Sequence, residues 1–251
     1  MFEIPAHLPA SRSKESGNVL FLILIAVALF AALSYAVTQS SRSGGGDASS
    51  ETNLISSATI TQYPASVRTA IIRMMVSSGV DPADLNFDPP SAFATTCNAT
   101  PTDCVFHPSG GGATFAPAPA DVMASGNPGT WVFNGDFEVV NLGTSSNEAT
   151  AGNEVIAFLP GIKSSICDRI NSELSFGTTP TLSASRAGNA TTIGYMHGKV
   201  SGELTMASAG DLILGTGGDE TSALFDGEAF GCFRNGGGSG DYVYYHVLVE
   251  R

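Results

Sequence analysis

The sequence has few charged residues, and basic residues are the scarcest. Only 14% of its 251 residues are charged, and 11 Lys and Arg stand against 23 Asp and Glu, which gives a net charge of −12. Globular proteins usually contain about a quarter charged residues. A surface this acidic repels phosphate backbones, so we expect no nucleic-acid partner. The 29 glycines and the small number of charges favour an exported domain rich in loops.

Residues that usually carry catalysis are also scarce. The four histidines (His7, His107, His197 and His246) lie far apart in the sequence. Residues 215–219 are glycine-rich but lack the lysine and spacing of a phosphate-binding loop, and no Gly-x-Ser-x-Gly motif occurs. A triad that pairs His197 or His246 with a distant serine stays open, although a structural role in a strand suits His246 better. We therefore expect that the protein is not an enzyme.

One long apolar run, residues 19–37, contains no charge and has polar atoms only at Ser34 and Tyr35. A helix of this length spans roughly 28 Å, close to the thickness of the bilayer hydrocarbon. Three interpretations remain open: a plain single-pass anchor, a retained helix that is processed at its start, and a secretion signal cut near Ala36. Secretion signals have shorter apolar cores, of about 7–15 residues. Cations before the run, Arg12 and Lys14, favour a cytoplasmic N-terminus.

The residues just before the run, Lys14-Glu15-Ser16-Gly17-Asn18, form a short charged leader that ends in glycine. A leader of this kind, followed by an unbroken apolar helix, resembles the N-terminus of type IV pilin-like proteins, the pilins and pseudopilins. The resemblance covers roughly 30 of the 251 residues. It departs from the family at Leu22, where the family usually has a glutamate five residues after the glycine.

The resemblance implies that a prepilin peptidase cuts between Gly17 and Asn18 and that Asn18 is then methylated. It also implies partners: the inner membrane, which the protein would cross once, and other pilin-like subunits that contact its N-terminal helix. The exported domain of residues 54–251, here called the head, would lie in the periplasm or outside the cell. Leu22 in place of glutamate favours a minor subunit over a major, polymerising one. The alternative is a single-pass envelope protein with a ligand-binding or enzymatic exported domain.

Four cysteines, Cys97, Cys104, Cys167 and Cys232, follow the apolar run, and an even number in an exported domain favours disulfides. Three pairings are possible. The short, turn-rich loop between Cys97 and Cys104 closes at low entropic cost, which leaves Cys167 to pair with Cys232. Zinc is a weaker alternative, because no Cys-x-x-Cys spacing is present.

A glycine-rich stretch contains four carboxylates: Asp219, Glu220, Asp226 and Glu228. Carboxylate oxygens are the ligands that calcium prefers. Their spacing matches no strict calcium motif. A solvated acidic loop explains them more simply, so we expect no cofactor apart from this weak calcium site.

Residues 54–78 show helical periodicity, with Val67, Ile71 and Met74 on one apolar face. Pro64 suits the first turn of such a helix, and Gly79 suits its C-terminal stop. The pattern then predicts a hairpin at Asn134-Gly135. We also expect a strand at 154–159, a helix at 162–174, and strands at 193–206, 211–214 and 242–249.

The segments together predict an α+β protein with a mostly antiparallel sheet. We expect four parts: residues 1–17 as a cytoplasmic leader, residues 18–42 as a transmembrane helix, residues 43–53 as a Gly/Ser spacer, and residues 54–251 as an exported α+β domain. The spacer is expected because each of its glycines destabilises a helix by about 1 kcal/mol.

Overall fold

The computed structural model describes residues 16–95, 97–143, 154–182, 212–215, 223–236 and 241–251. By its internal contacts the chain divides into two units, Met1–Glu51 and Thr52–Arg251. The elements are helices α1 (Ser16–Ser78) and α2 (Ser164–Glu173), strands β1 (Val132–Val139), β2 (Glu154–Ile162), β3 (Thr181–Leu182), β4 (Leu212–Leu214), β5 (Phe230–Asn235) and β6 (Tyr242–Val249), and short 3-10 turns at Pro82–Asp84, Pro90–Ala92 and Ala223–Phe225. The combination of helices with a sheet confirms the predicted α+β class.

Helix α1 ends where the sequence predicts. Gly79 takes the left-handed conformation, with φ of 67°, and its N–H donates to the Met75 carbonyl at 3.2 Å. Glycine adopts this conformation without the strain that a Cβ would cause. The predicted apolar face is also confirmed, because Val67, Ile71 and Met74 are all buried.

Two expectations about α1 are wrong. Residues 43–53, predicted as a spacer, are helical, and Pro64 lies inside the helix rather than in its first turn. The glycines lower helix stability without blocking the helix sterically, and the helix-favouring runs on both sides outweigh that cost. Pro64 removes one backbone hydrogen bond, and the residue is buried.

The strands form one six-stranded sheet in the described part of the chain, in the order β3-β5-β6-β2-β1-β4. The four central strands pair antiparallel, whereas the short edge strands β3 and β4 pair in parallel with β5 and β1. The predicted antiparallel sheet is therefore observed, and the predicted last strand is β6 at its centre. The predicted strand at 193–206 lies outside the described residues.

Both faces of the sheet are buried. Alternate residues of β2 divide between them, with Val155 and Leu159 on one face and Ile156 and Phe158 on the other. The first face packs against α1 and α2. The second packs around Phe225, whose ring meets Tyr245 edge to face at 5.7 Å. Burial on both faces explains why these strands read as continuous apolar runs rather than as alternating patterns.

The predicted hairpin at Asn134-Gly135 is wrong. Strand β1 continues through both residues and pairs with β2, with a register shift between Asn134 and Phe137. The Asn-Gly pair therefore marks an irregularity in a strand, because pairing with a distant strand buries more apolar surface than a local turn would. The helix predicted at 162–174 also begins later, at Ser164, because Ile162 still pairs with Tyr242 of β6.

Candidate functional site

The first candidate site is the apolar start of α1. Among the described residues, Val19–Gln39 is the one helical segment long and apolar enough to cross a membrane, and an N-terminal secretion signal would have the same composition. Its side chains are exposed, including Leu22 at 58%. The predicted processing residues Gly17 and Asn18 lie in the first turn of α1.

Polar atoms in this segment satisfy one another near its C-terminal end. The Gln39 Nε2 donates to the Tyr35 hydroxyl at 2.7 Å, and the Thr38 hydroxyl donates to the Ser34 carbonyl at 2.5 Å. Internal pairing matters in hydrocarbon, where water is absent and an unpaired polar group costs several kcal/mol. These bonds lower the cost of placing the C-terminal end of the segment in hydrocarbon.

Two disulfides link the four cysteines as the sequence predicts. Cys97 bonds to Cys104, and Cys167 bonds to Cys232. The first closes a seven-residue separation beside the 3-10 turns, and the second ties α2 to strand β5 across 65 residues. No free cysteine remains.

The predicted calcium site is only partly within the described chain. Asp226 and Glu228 are half-buried around the turn at Gly227, whereas Asp219 and Glu220 lie outside the described residues. Within the described ranges, no group of three or more His, Cys, Asp or Glu side chains could hold a metal ion. The calcium prediction therefore stays a prediction.

The second candidate site is a groove of about 360 Å³ in the Thr52–Arg251 unit. One wall is a face of α1, and the other is the proline-containing segment before β1. The residues that line the groove share a lack of charge: Thr59, Ile60, Gln62, Tyr63, Ser66, Pro117, Ala118, Pro119 and Trp131. A mixed surface of aromatic, proline and neutral polar groups is typical of small-ligand sites.

Two aromatic rings meet in this groove. The rings of Tyr63 and Trp131 stack with centroids 5.0 Å apart, and Trp131 is only 4% exposed. The Tyr63 hydroxyl and the Trp131 Nε1 are both buried with no hydrogen-bond partner within the described chain. Burial raises the pKa of Tyr63, and the nearby Ala116 backbone moderates that rise without making a well-formed hydrogen bond.

The third candidate is a buried carboxyl group, Glu154, at the start of β2. One oxygen, Oε2, accepts from the Val139 N–H at 2.7 Å, and Oε1 has no partner in the described part of the chain. Burial raises the pKa of Glu154 to about 8; the Val139 hydrogen bond opposes this rise, and the carboxylates of Glu138 and Glu250 add to it. Burial therefore favours the protonated, neutral form of Glu154.

A histidine with a lowered pKa lies on β6. Burial, helped by the charge of Arg68, lowers the pKa of His246 to about 4. Its Nδ1 lies 2.8 Å from the Tyr244 hydroxyl. Arg68 of α1 also donates to the Val247 carbonyl at 3.2 Å and pairs with Glu250 at 2.9 Å. These neighbours suit a structural role for His246 in the strand.

Sequence reasoning missed the groove and the role of Glu154. The groove joins a helix face to Trp131, some seventy residues later, and no local motif connects them. The one available signal was an uncharged helix face, Thr59, Gln62 and Ser66, at helical spacing. Glu154 could have been noted as a single acidic residue opening an otherwise apolar strand.

No protein-family model, no curated protein and no solved structure matches this chain.

Proposed function

We propose that the protein is a membrane-anchored, exported structural subunit of the pilin-like kind, in which residues 18–42 remain in the inner membrane and the head lies outside the cytoplasm. The observation that carries this proposal is the composition of α1. Its Val19–Gln39 segment is exposed and uncharged, whereas the residues after Thr52 pack a buried face on an antiparallel sheet. Helix α1 thus provides both an apolar segment, here called the stem (Val19–Gln39), and part of the domain core.

The two disulfides support the exported location of the head. Disulfides persist in oxidising compartments and are rare in the cytosol, where thiol systems reduce them. Both bonds lie in the Thr52–Arg251 unit, and every cysteine takes part. The distribution of charge adds support. Arg12 and Lys14, two of the few cations, precede the apolar run, and positive residues prefer the cytoplasmic side of a membrane.

The work of such a subunit is assembly. An exposed apolar helix in lipid gains stability by packing on neighbouring helices, and the proposed neighbours are the stems of other pilin-like subunits. Leu22 offers no carboxylate to pair with the amino terminus of a neighbour. The proposed role is therefore that of a minor component in a filament or secretion apparatus.

Processing at the glycine tests this proposal. We expect that Gly17→Leu, expressed together with a prepilin peptidase, keeps the full precursor mass, whereas the wild-type chain loses residues 1–17. Gly44→Ala is the matched control, because it changes a glycine of the same helix beyond the apolar run and should leave processing intact. Identical masses for wild type and Gly17→Leu would count against the pilin-like class.

The alternative, a single-pass protein with a ligand-binding domain, is favoured by one observation, the uncharged groove at Tyr63 and Trp131. The two functions are compatible, because the groove lies in the head and the assembly role rests on the stem.

A further inference from the structure

We propose that the groove between α1 and the segment around Pro117 and Pro119 binds a neutral saccharide. This inference concerns the head alone and stands whether or not the stem assembles with other subunits.

The lining of the groove selects a neutral ligand. None of its nine residues carries a charge, although the chain as a whole has a net charge of −12. An ionic ligand would give up its hydration shell for a surface that offers no counter-charge, and that exchange is unfavourable. The groove volume of about 360 Å³ lies within the range of roughly 300–1,000 Å³ found for small-molecule sites, near its lower end. One or two sugar rings are of this size.

The hydrogen-bonding groups along α1 select a ligand rich in donors. The Thr59 hydroxyl donates to the Ile55 carbonyl at 2.9 Å, and the Ser66 hydroxyl donates to the Tyr63 carbonyl at 2.7 Å. Both hydrogens are therefore engaged with the helix, and the two oxygens offer lone pairs. The Gln62 amide, between them on the same face, can donate and accept. A ligand must supply several donors, as sugar hydroxyls do.

The opposite wall disfavours an extended peptide. Pro117 and Pro119 have no N–H, and the Ala118 N–H already donates to the Gly129 carbonyl at 2.8 Å. A peptide strand that pairs with this wall would find no backbone donors for its carbonyls. The proline rings and the partly exposed Tyr63 instead provide apolar surface for the C–H face of a sugar ring.

The stacked ring pair gives a second, independent indication. Trp131 Nε1 is buried without a hydrogen-bond partner among the described residues, and the Tyr63 hydroxyl, on a ring 5.0 Å away, meets the Ala116 backbone without a well-formed hydrogen bond. A buried polar atom without a partner destabilises the folded state. A sugar hydroxyl both accepts and donates, so one that reaches Trp131 Nε1 after a small shift of the rings gives that atom a partner.

The experiment uses the intrinsic fluorescence of Trp131, the only tryptophan of the chain. The full-length protein is placed in lipid nanodiscs, because detergents with sugar headgroups would compete. The probes are maltose, cellobiose and N,N′-diacetylchitobiose, with glucuronate as a charged comparison and a proline-rich peptide as the macromolecular comparison. We expect a saturable spectral change with at least one neutral disaccharide, with a dissociation constant in the millimolar range or tighter, and none with glucuronate or the peptide.

Variants on α1 place the binding in the groove. Gln62→Ala should weaken the disaccharide about two- to tenfold, the loss expected for one hydrogen bond. Thr69→Ala is the matched control: Thr69 is also exposed on α1 and its hydroxyl bonds back to the helix, at 2.9 Å from the Ala65 carbonyl, but it does not line the groove. Both residues are on the surface, so unchanged thermal unfolding confirms that each variant folds.

Three results would overturn the inference: no saturable change with any neutral disaccharide, saturation by the peptide in place of the sugars, or equal affinities for wild type and Gln62→Ala. None of them affects the proposed assembly role, which is tested by processing at Gly17.

Discussion

The side-chain amide of Asn171 holds the backbone of Cys232 at both of its polar groups. Asn171 Nδ2 donates to the Cys232 carbonyl at 2.8 Å, and the Cys232 N–H donates to Asn171 Oδ1 at 3.0 Å. Cys232 is also the disulfide partner of Cys167, one turn earlier in α2. Helix α2 and strand β5 are therefore joined by the disulfide and by two hydrogen bonds. The Asn171 amide makes these bonds to the β5 backbone as the backbone of a neighbouring strand would.

Asn171→Ala should lower the free energy of unfolding by about 2–4 kcal/mol, because it leaves a buried N–H and a buried carbonyl of Cys232 without partners. Urea unfolding of the full-length protein in nanodiscs, followed by Trp131 fluorescence, measures this. Ser172→Ala is the control, since its exposed hydroxyl bonds only within α2, to the Arg169 carbonyl. A loss no larger than that of Ser172→Ala would contradict the role assigned to Asn171.

The two disulfides should differ in their contribution to stability. Loop-closure entropy predicts about 4 kcal/mol for the 65-residue separation of Cys167 and Cys232, and about 2 kcal/mol for the seven-residue separation of Cys97 and Cys104. Paired Cys→Ser replacements, compared by urea unfolding under non-reducing conditions, test the order. Equal losses, or a larger loss for Cys97 and Cys104, would show that native contacts rather than loop entropy dominate.

Glu154 should make the domain less stable as the pH rises. Its folded pKa of about 8 lies above the ordinary value of 4.5, so the folded state holds the proton more tightly than the unfolded state. Its contribution to stability is complete below pH 4.5 and is lost progressively up to pH 8, by on the order of 5 kcal/mol.

Glu154→Gln should remove this decline, because an amide keeps an acceptor for the Val139 N–H and cannot ionise. The measurement is the free energy of unfolding at pH 6.5 and at pH 8.5. Glu173→Gln, an exposed residue paired with Arg169 at 3.2 Å, is the control. If wild type and Glu154→Gln lose the same stability over this interval, Glu154 is not the group responsible.

His246 should act on the acid side with the opposite sign. Its folded pKa of about 4 lies below the ordinary 6.5, so its contribution is complete above pH 6.5 and is lost as the pH falls towards 4. His246→Asn keeps a side chain that can hydrogen-bond to the Tyr244 hydroxyl, and it should flatten the stability profile between pH 6.5 and 4. His107→Asn provides the comparison, and a His246→Asn profile as steep as that of the wild type would refute the assignment.

Local signals in the sequence predicted the elements that depend on near neighbours. The buried face at Val67 and Ile71, the stop at Gly79 and the short loop between Cys97 and Cys104 all follow from spacing within about ten residues. The final strand followed from its continuous run of β-forming residues. These features were correct because the local pattern and the tertiary fold favour the same structure.

Elements that depend on distant partners were missed or wrong. Strand β5 has Gly231 and Arg234 among its residues and shows no alternation; it is a strand because it pairs with β6 and with the Asn171 amide. The Asn-Gly pair at 134–135 favours a turn locally, but pairing with β2 overrides it. The groove needs a helix face and a tryptophan far along the chain, so its existence depends on the folded arrangement.

The central claim is that the apolar start of α1 is a retained, processed membrane stem. The most direct test is the intact mass of the polypeptide purified from the membrane fraction of cells that contain a prepilin peptidase. The account predicts a chain that begins at a methylated Asn18, lacks residues 1–17 and carries two disulfides. A full-length membrane protein would contradict the processing, and a soluble chain that begins near Ala36 would contradict the retained stem.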